Sequence, residues 1–214
     1  HSNAILALID QPNPIKICKK VFGQEMGIVP YIMPGFQLAK KAAEVFEQNP
    51  KVKGLILLNH GIFTFAENAK ESYELMIKYI SLAEKELKQK SKSIRVKRYE
   101  EKKITASLIA NLIRQQTSLK PNKKIDHKVV YFHKPTFLDE FFSHPKLKQF
   151  TTQGPVTPDH VIRIKSKPLV IDLSNEKSNN LENKITKAVE KYQEDYQKYF
   201  KRNHKYNLQA NMLD

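Results

Sequence analysis

Two of the seven histidines in this chain stand where chemistry could be built. His60 follows Gly54-Leu55-Ile56-Leu57-Leu58-Asn59, an apolar run that reads as a buried strand. Gly61 and a second β-rich segment come after it. Pockets in α/β folds form where such strands end. His1 opens another apolar run, His1-Ser2-Asn3-Ala4-Ile5-Leu6-Ala7-Leu8. Two histidines so placed could share a divalent metal, for which neutral imidazole is a good ligand. No histidine pair has zinc-finger or HExxH spacing, and Walker A, GxGxxG, CxxC and GxSxG motifs are missing. A metal site must therefore be assembled from distant segments. On spacing alone, His60 is also open to a plain structural role. His127, His133, His144 and His204 have no supporting context.

The elements that must hold these residues follow from periodicity and turn chemistry. Residues 2–10 and 14–22 read as short helices separated by Pro12 and Pro14. Residues 27–33 read as a strand closed by Pro34-Gly35. Residues 36–48 read as an amphipathic helix with Phe36, Ala39, Ala42, Ala43 and Phe46 on one face. Strands at 53–59 and 62–66 flank the His60-Gly61 turn. Residues 68–90 form the clearest helix, with an apolar stripe of Tyr73, Met76, Ile77, Ile80, Ala83 and Leu87 read as core. The order of elements predicts an α/β fold with a mixed sheet.

After residue 90 the texture changes, beginning with a basic connector at 90–93. A helix is expected at 103–119, a strand at 129–132 and a partly helical aromatic segment at 135–150. A turn-rich loop at 153–160 should precede β segments at 161–165 and 168–173. A long helix at 179–204 closes the chain. The expected division is therefore 1–91 and 92–214.

Composition narrows the function classes. The chain has 214 residues, enough for a real core, and no apolar stretch long enough to span a membrane. The single cysteine, Cys18, excludes an internal disulfide framework and fits a reducing cytoplasm. The net charge of +15 suggests an acidic partner. Yet only Arg95, Arg98, Arg114, Arg163 and Arg202 are arginines, and bidentate phosphate and base contacts favour arginine. A lysine-rich solvated surface explains the charge without nucleic acid.

The stretch from His1 to about Leu87 resembles the C-terminal part of the class II aldolase/adducin domain. In that family a His-x-His pair supplies two zinc ligands, and a later His-Gly after a buried strand supplies a third. His1 and its following helix match the second histidine of the pair, and Asn59-His60-Gly61-Ile62-Phe63 matches the later motif. Val29-Pro30-Tyr31-Ile32-Met33-Pro34-Gly35-Phe36, the helix Ala39–Phe46 and Ala66-Glu67-Asn68-Ala69-Lys70-Glu71-Ser72-Tyr73 fit the same frame.

The resemblance is strongest to the long bifunctional rhamnulose-1-phosphate aldolase/alcohol dehydrogenase subfamily. Gly154-Pro155-Val156-Thr157-Pro158-Asp159-His160-Val161-Ile162-Arg163 and the helix with Tyr192, Tyr196, Tyr199 and Phe200 fit its intermediate region. The first histidine of the pair, the catalytic or ligating acidic residue and the phosphate-binding part are then expected upstream. A dehydrogenase domain with its NAD is expected beyond residue 214, so the chain reads as an internal fragment.

The resemblance implies an α/β/α sandwich of class II aldolase type, incomplete at its N-terminus, with an α+β C-terminal extension. It implies a zinc or other divalent-metal site with His1 and His60 as ligands. The reaction would be retro-aldol cleavage of a phosphorylated ketose such as rhamnulose 1-phosphate to dihydroxyacetone phosphate and lactaldehyde. The metal would act as a Lewis acid on substrate oxygens. With only two ligands, the 214 residues alone are expected to bind zinc weakly and to lack activity.

Asn59 and Gly61 flank the metal position, Gly61 chiefly as a turn requirement. Tyr31 could line the pocket or simply pack. Asp159 and His160 could reach the pocket, or Asp159 could anchor the loop or cap a helix. The expected setting is a cytoplasmic homo-oligomer acting on a phosphorylated sugar, without nucleic acid or membrane. Rival readings are a non-catalytic adducin-like scaffold and a basic nucleic-acid-binding module.

Overall fold

The computed structural model describes residues 1–91, 106–118, 126–133, 138–173 and 180–204. The second half of the expected basic connector at 90–93, both ends of the 103–119 helix, the start of the 135–150 segment and residue 179 lie outside them. The chain divides into two compact units. Unit 1 is His1–Ser93 with Pro155–Ile164, and unit 2 is Ile94–Gly154 with Lys165–Asp214.

Unit 1 begins with α1 (Asn3–Ile9) and α2 (Pro14–Phe22). Pro14 opens α2, where its missing N–H costs nothing, and Gly23 ends it. Then come β1 (Met26–Val29), α3 (Phe36–Gln48), β2 (Gly54–Leu57), β3 (Gly61–Thr64) and α4 (Ala69–Lys90). The sheet has the order β1-β2-β3. β1 and β2 are parallel, with Ile28 opposite Ile56, and α3 is the crossover that a parallel pair requires. β2 and β3 are antiparallel, with Leu57 opposite Gly61. The sheet is therefore mixed, as expected of the α/β class.

β2 is buried throughout and serves two cores, because successive side chains point to opposite faces. Ile56 and Leu58 join Ile5, Leu6, Ile9, Phe22, Tyr79 and Ala83 from α1, α2 and α4. Leu55 and Leu57 join Val29, Leu38 and Val52, with Ala42 and Val45 packed against them. Gly54 is needed where β2 meets β3, since a Cβ there would lie 2.2 Å from the Phe63 carbonyl oxygen.

Two apolar stripes differ from expectation. On α3 the inward residues are Leu38, Ala42 and Val45, whereas Phe36, Ala39 and Ala43 are exposed. Phe46 is also largely turned out, with its ring edge-on to Phe65 at 5.2 Å. On α4, Ile80, Ala83 and Leu87 do pack inward, but Tyr73 and Ile77 are exposed, while Tyr79 and Glu86 are buried. Both helices carry more apolar residues than one face holds, and the face is chosen by the sheet they meet.

Unit 2 contains α5 (Ala106–Ser118), α6 (Asp139–Phe142), α7 (Leu147–Thr151) and α9 (Leu181–Asn203). Helix α9 packs on α5 and buries Leu181, Ile185 and Val189. The expected strand at 129–132 is not formed: Val129 and Tyr131 are exposed and pair with no strand. The β segments expected at 161–165 and 168–173 are not strands either. The loop before them instead turns into the short helix α8 (Pro158–Val161) of unit 1. Pro158 at its first position and Thr157 at its N-cap favour that helical turn. The α+β character expected of the C-terminal region is thus replaced, among the described residues, by helices and irregular backbone.

Candidate functional site

The turn between β2 and β3 presents His60. Asn59 takes the left-handed conformation (φ 56°), which asparagine tolerates, and the His60 N–H closes the turn onto the Leu57 carbonyl at 3.1 Å. His60 thus sits past the carboxyl ends of the parallel strands β1 and β2. Its Nδ1 is buried and has no hydrogen-bond partner among the described residues. Such orphaned buried polar atoms are rare and call for a partner.

Helix α1 brings His1 to the same place. Ile5, Leu6, Leu8 and Ile9 are all buried, so the helix is fixed in the core and its N-terminal end is held against the turn. The His1 and His60 rings lie 5.1 Å apart, inclined by 39°. Gly61 packs against His1 on a backbone with φ 156°, which L side chains rarely adopt. A Cβ there would stand in ordinary contact, 3.6 Å from His1 Cα and ring Cδ2, so the turn and not the approach favours glycine. At the other end of α1, the Asn59 side-chain amide donates to Asp10 at 3.0 Å. Burial raises the Asp10 pKa, and the Asn59 hydrogen bond partly offsets this.

Asp159 completes the arrangement from α8. Its carboxylate accepts a hydrogen bond from His1 Nδ1 at 2.7 Å. The helix-capping role belongs to Thr157, whose hydroxyl accepts from the His160 N–H at 3.3 Å and also bonds His160 Nδ1. Among the sequence-predicted residues, His1, His60, Gly61 and Asp159 therefore come together. Asn59 is in the same turn but faces Asp10. His160 is exposed beside Thr157, and Tyr31 is 58% exposed beyond β1, with no hydrogen bond or ring contact among the described residues. A cavity of about 410 Å³ lined by Lys53, Phe65, Glu67, Glu71, Glu74 and Lys78 contains none of them.

Asp10 and Thr157 were missed from sequence. Asp10 carries no spacing signal, being tied to Asn59 only by tertiary structure. Thr157 did carry one: threonine before Pro-Asp is a helix N-cap pattern.

As a donor set, two adjacent imidazoles, one with an orphaned buried nitrogen, suit a divalent metal such as zinc. Among the described residues, no group of three His, Cys, Asp or Glu side chains is arranged to hold one. The pair fits as two ligand positions rather than a full coordination set. No described helix is long and apolar enough to cross a membrane.

An α/β unit presenting a histidine pair at the end of its parallel strands defines a class, and comparison with known proteins gives the family. The family model "Class II Aldolase and Adducin N-terminal domain" matches residues 1–87, and "Aldolase class II, second domain" matches residues 104–214, just over half of the chain. The chain belongs to the class II aldolase family. A Bacillus subtilis (strain 168) protein, "Uncharacterized oxidoreductase YuxG", is 28% identical over 185 residues. That match covers 82% of this chain, and the chain spans only 26% of the length of that relative. The solved N-terminal class II aldolase domain of a conserved protein from Thermoplasma acidophilum is 35% identical. It aligns over 41% of this chain and 39% of that one, with a TM-score of 0.36.

Proposed function

We propose that this chain carries part of the metal site of a class II aldolase, with His1 and His60 as two ligands of Zn²⁺ or another divalent cation. The observation that carries the reading is the close pair of imidazoles with the unpartnered, buried Nδ1 of His60. A divalent metal held there would supply Lewis acidity to a substrate carbonyl. The chain's own contribution is to fix both rings: His60 by the tight turn after β2, His1 by the buried helix α1. Further ligands and the acidic catalytic residue belong to parts of the protein outside this sequence.

The substrate in this reading is a phosphorylated ketose such as rhamnulose 1-phosphate, cleaved to dihydroxyacetone phosphate and lactaldehyde. The setting is a cytoplasmic homo-oligomer with the family's α/β/α sandwich. The oxidoreductase name of the Bacillus relative accords with an NAD-dependent dehydrogenase domain elsewhere in the protein, and that activity is part of the same proposal. The test is release of dihydroxyacetone phosphate from rhamnulose 1-phosphate by the whole protein. Cleavage that stops on chelation, returns with Zn²⁺ and is lost in His60→Ala supports the reading. Cleavage indifferent to both chelator and His60→Ala overturns it.

A second reading, a non-catalytic adducin-like scaffold, draws on the family model itself, whose description names adducin beside the class II aldolases. It predicts a whole protein that binds no zinc through His60.

A further inference from the structure

The segment Pro155–Ile164 lies in the second half of the sequence but packs with unit 1. It is well braced. Thr157 is buried, Pro158 fixes the first helical position, and Val161 N–H and Ile164 N–H bond to the Thr157 and His160 carbonyls at 3.2 and 2.9 Å. His160 is turned to Thr157 by its own Nδ1 contact. What this brace presents to His1 is the Asp159 carboxylate, 2.7 Å from Nδ1.

A carboxylate only accepts, so Nδ1 of His1 must carry the proton. The lone pair of a neutral His1 is then confined to Nε2. The pair is too exposed, at 35% and 54% for the two side chains, to be a notable source of stability. Its consequence is orientation. An imidazole whose far nitrogen donates to a carboxylate is held in one tautomer and one ring setting, and its other nitrogen becomes a better metal ligand.

We propose that Asp159 is a positioning residue for the metal site: it holds His1 in the Nδ1–H tautomer and leaves Nε2 for a divalent cation shared with His60. The inference rests on the metal-site reading above. It gives the second-domain segment a part in the site without making it a ligand or a substrate contact. It also separates the two acidic groups that meet this region. Asp159 acts on a histidine, while Asp10 is engaged by Asn59.

The experiment uses the whole protein with Zn²⁺ as the probe, titrated against a chromophoric chelator, beside nitrogen-15 imidazole spectra of the metal-free protein. Asp159→Ala is expected to weaken Zn²⁺ binding by about 10–100-fold. It should also shift the His1 signals from the Nδ1–H toward the Nε2–H tautomer. Asp159→Asn can still accept from Nδ1–H through its amide oxygen, so both effects should be smaller. If Asp159→Ala does not fold, the same two measurements on Asp159→Asn carry the test, with an intermediate affinity and a partial tautomer shift expected.

Wild-type Zn²⁺ affinity and an unchanged His1 tautomer in the folded variant overturn the proposal. So does an Asn variant that loses the metal as fully as Ala with the tautomer unmoved, which is the behaviour of a direct ligand. The parent reading is judged separately by His60→Ala. If that variant keeps full Zn²⁺ affinity, the metal reading fails, while the tautomer spectra still decide whether Asp159 holds His1.

Discussion

Unit 1 and unit 2 fold on different terms. In unit 1 every residue of β2 is buried, and the sheet has an apolar core on each face. In unit 2 the buried apolar side chains among the described residues are Leu181, Ile185 and Val189, all on α9, and α5 buries none completely. A strand packed on both sides cannot shift without disturbing two cores, so the turn at its end is a firm place to mount a ligand. A helix pair with a narrow seam offers no such place. The difference explains why the candidate chemistry collects in unit 1, and why unit 1 also takes in Pro155–Ile164 from the second half of the sequence.

The largest effects should come from cutting each core at an equally buried isoleucine. Ile56→Ala is expected to destabilise unit 1 by about 2–5 kcal/mol, read by chemical denaturation, and to weaken Zn²⁺ binding. Ile185→Ala should melt the α5–α9 pair earlier while leaving Zn²⁺ affinity unchanged. If Ile185→Ala lowers that affinity as much as Ile56→Ala, the two units do not divide the work in this way. Gly54→Ala comes next: its Cβ would collide with the Phe63 carbonyl, and forcing the β2–β3 seam apart should cost about 1–3 kcal/mol or more. Asn68→Ala removes the side chain that accepts the Glu71 N–H at the start of α4, a loss of about 1 kcal/mol in thermal unfolding. Unlike Gly54→Ala, it should leave the histidine pair in place.

The same contrast shows what the sequence could convey. The order and type of the elements of unit 1 up to residue 90 were legible, because short apolar runs are punctuated by Pro12, Pro14, Pro34-Gly35 and Asn49-Pro50. The strands are shorter than expected, β1 ending at Val29 and not at residue 33. The faces of α3 and α4 were not. Phe36 and Leu38 compete for the inward position two residues apart, and only the sheet decides between them. In unit 2, β-branched runs such as 168–173 looked like strands, but no partner strand exists among the described residues to pair with them. At the site, the Asn59-His60-Gly61 turn was visible in the spacing. The Asp159 bond to His1 was not, since it spans 158 positions and depends on where α8 docks.

The smallest predicted effect lies within unit 1 and concerns two carboxylates whose environments push them in opposite directions. Glu86, on the inward side of α4, accepts from Lys20 at 2.8 Å and from Lys90 at 3.1 Å. These bonds, the Lys20 bond foremost, hold its carboxyl below the usual value of 4.5. A carboxyl with a lowered pKa in the folded state adds stability above its unfolded value and loses it as pH falls through the lower folded one. Asp10 is the reverse case: burial raises its pKa, so its ionisation opposes folding as pH rises through and above the carboxylate range. Glu86→Gln should therefore lower the melting temperature at pH 7, with the deficit shrinking toward pH 3. Asp10→Asn should compare more favourably with wild type at pH 7 than at pH 3. Melting curves of both variants at the two pH values check the signs together. A Glu86→Gln deficit as large at pH 3 as at pH 7 would show that Glu86 acts through packing rather than charge.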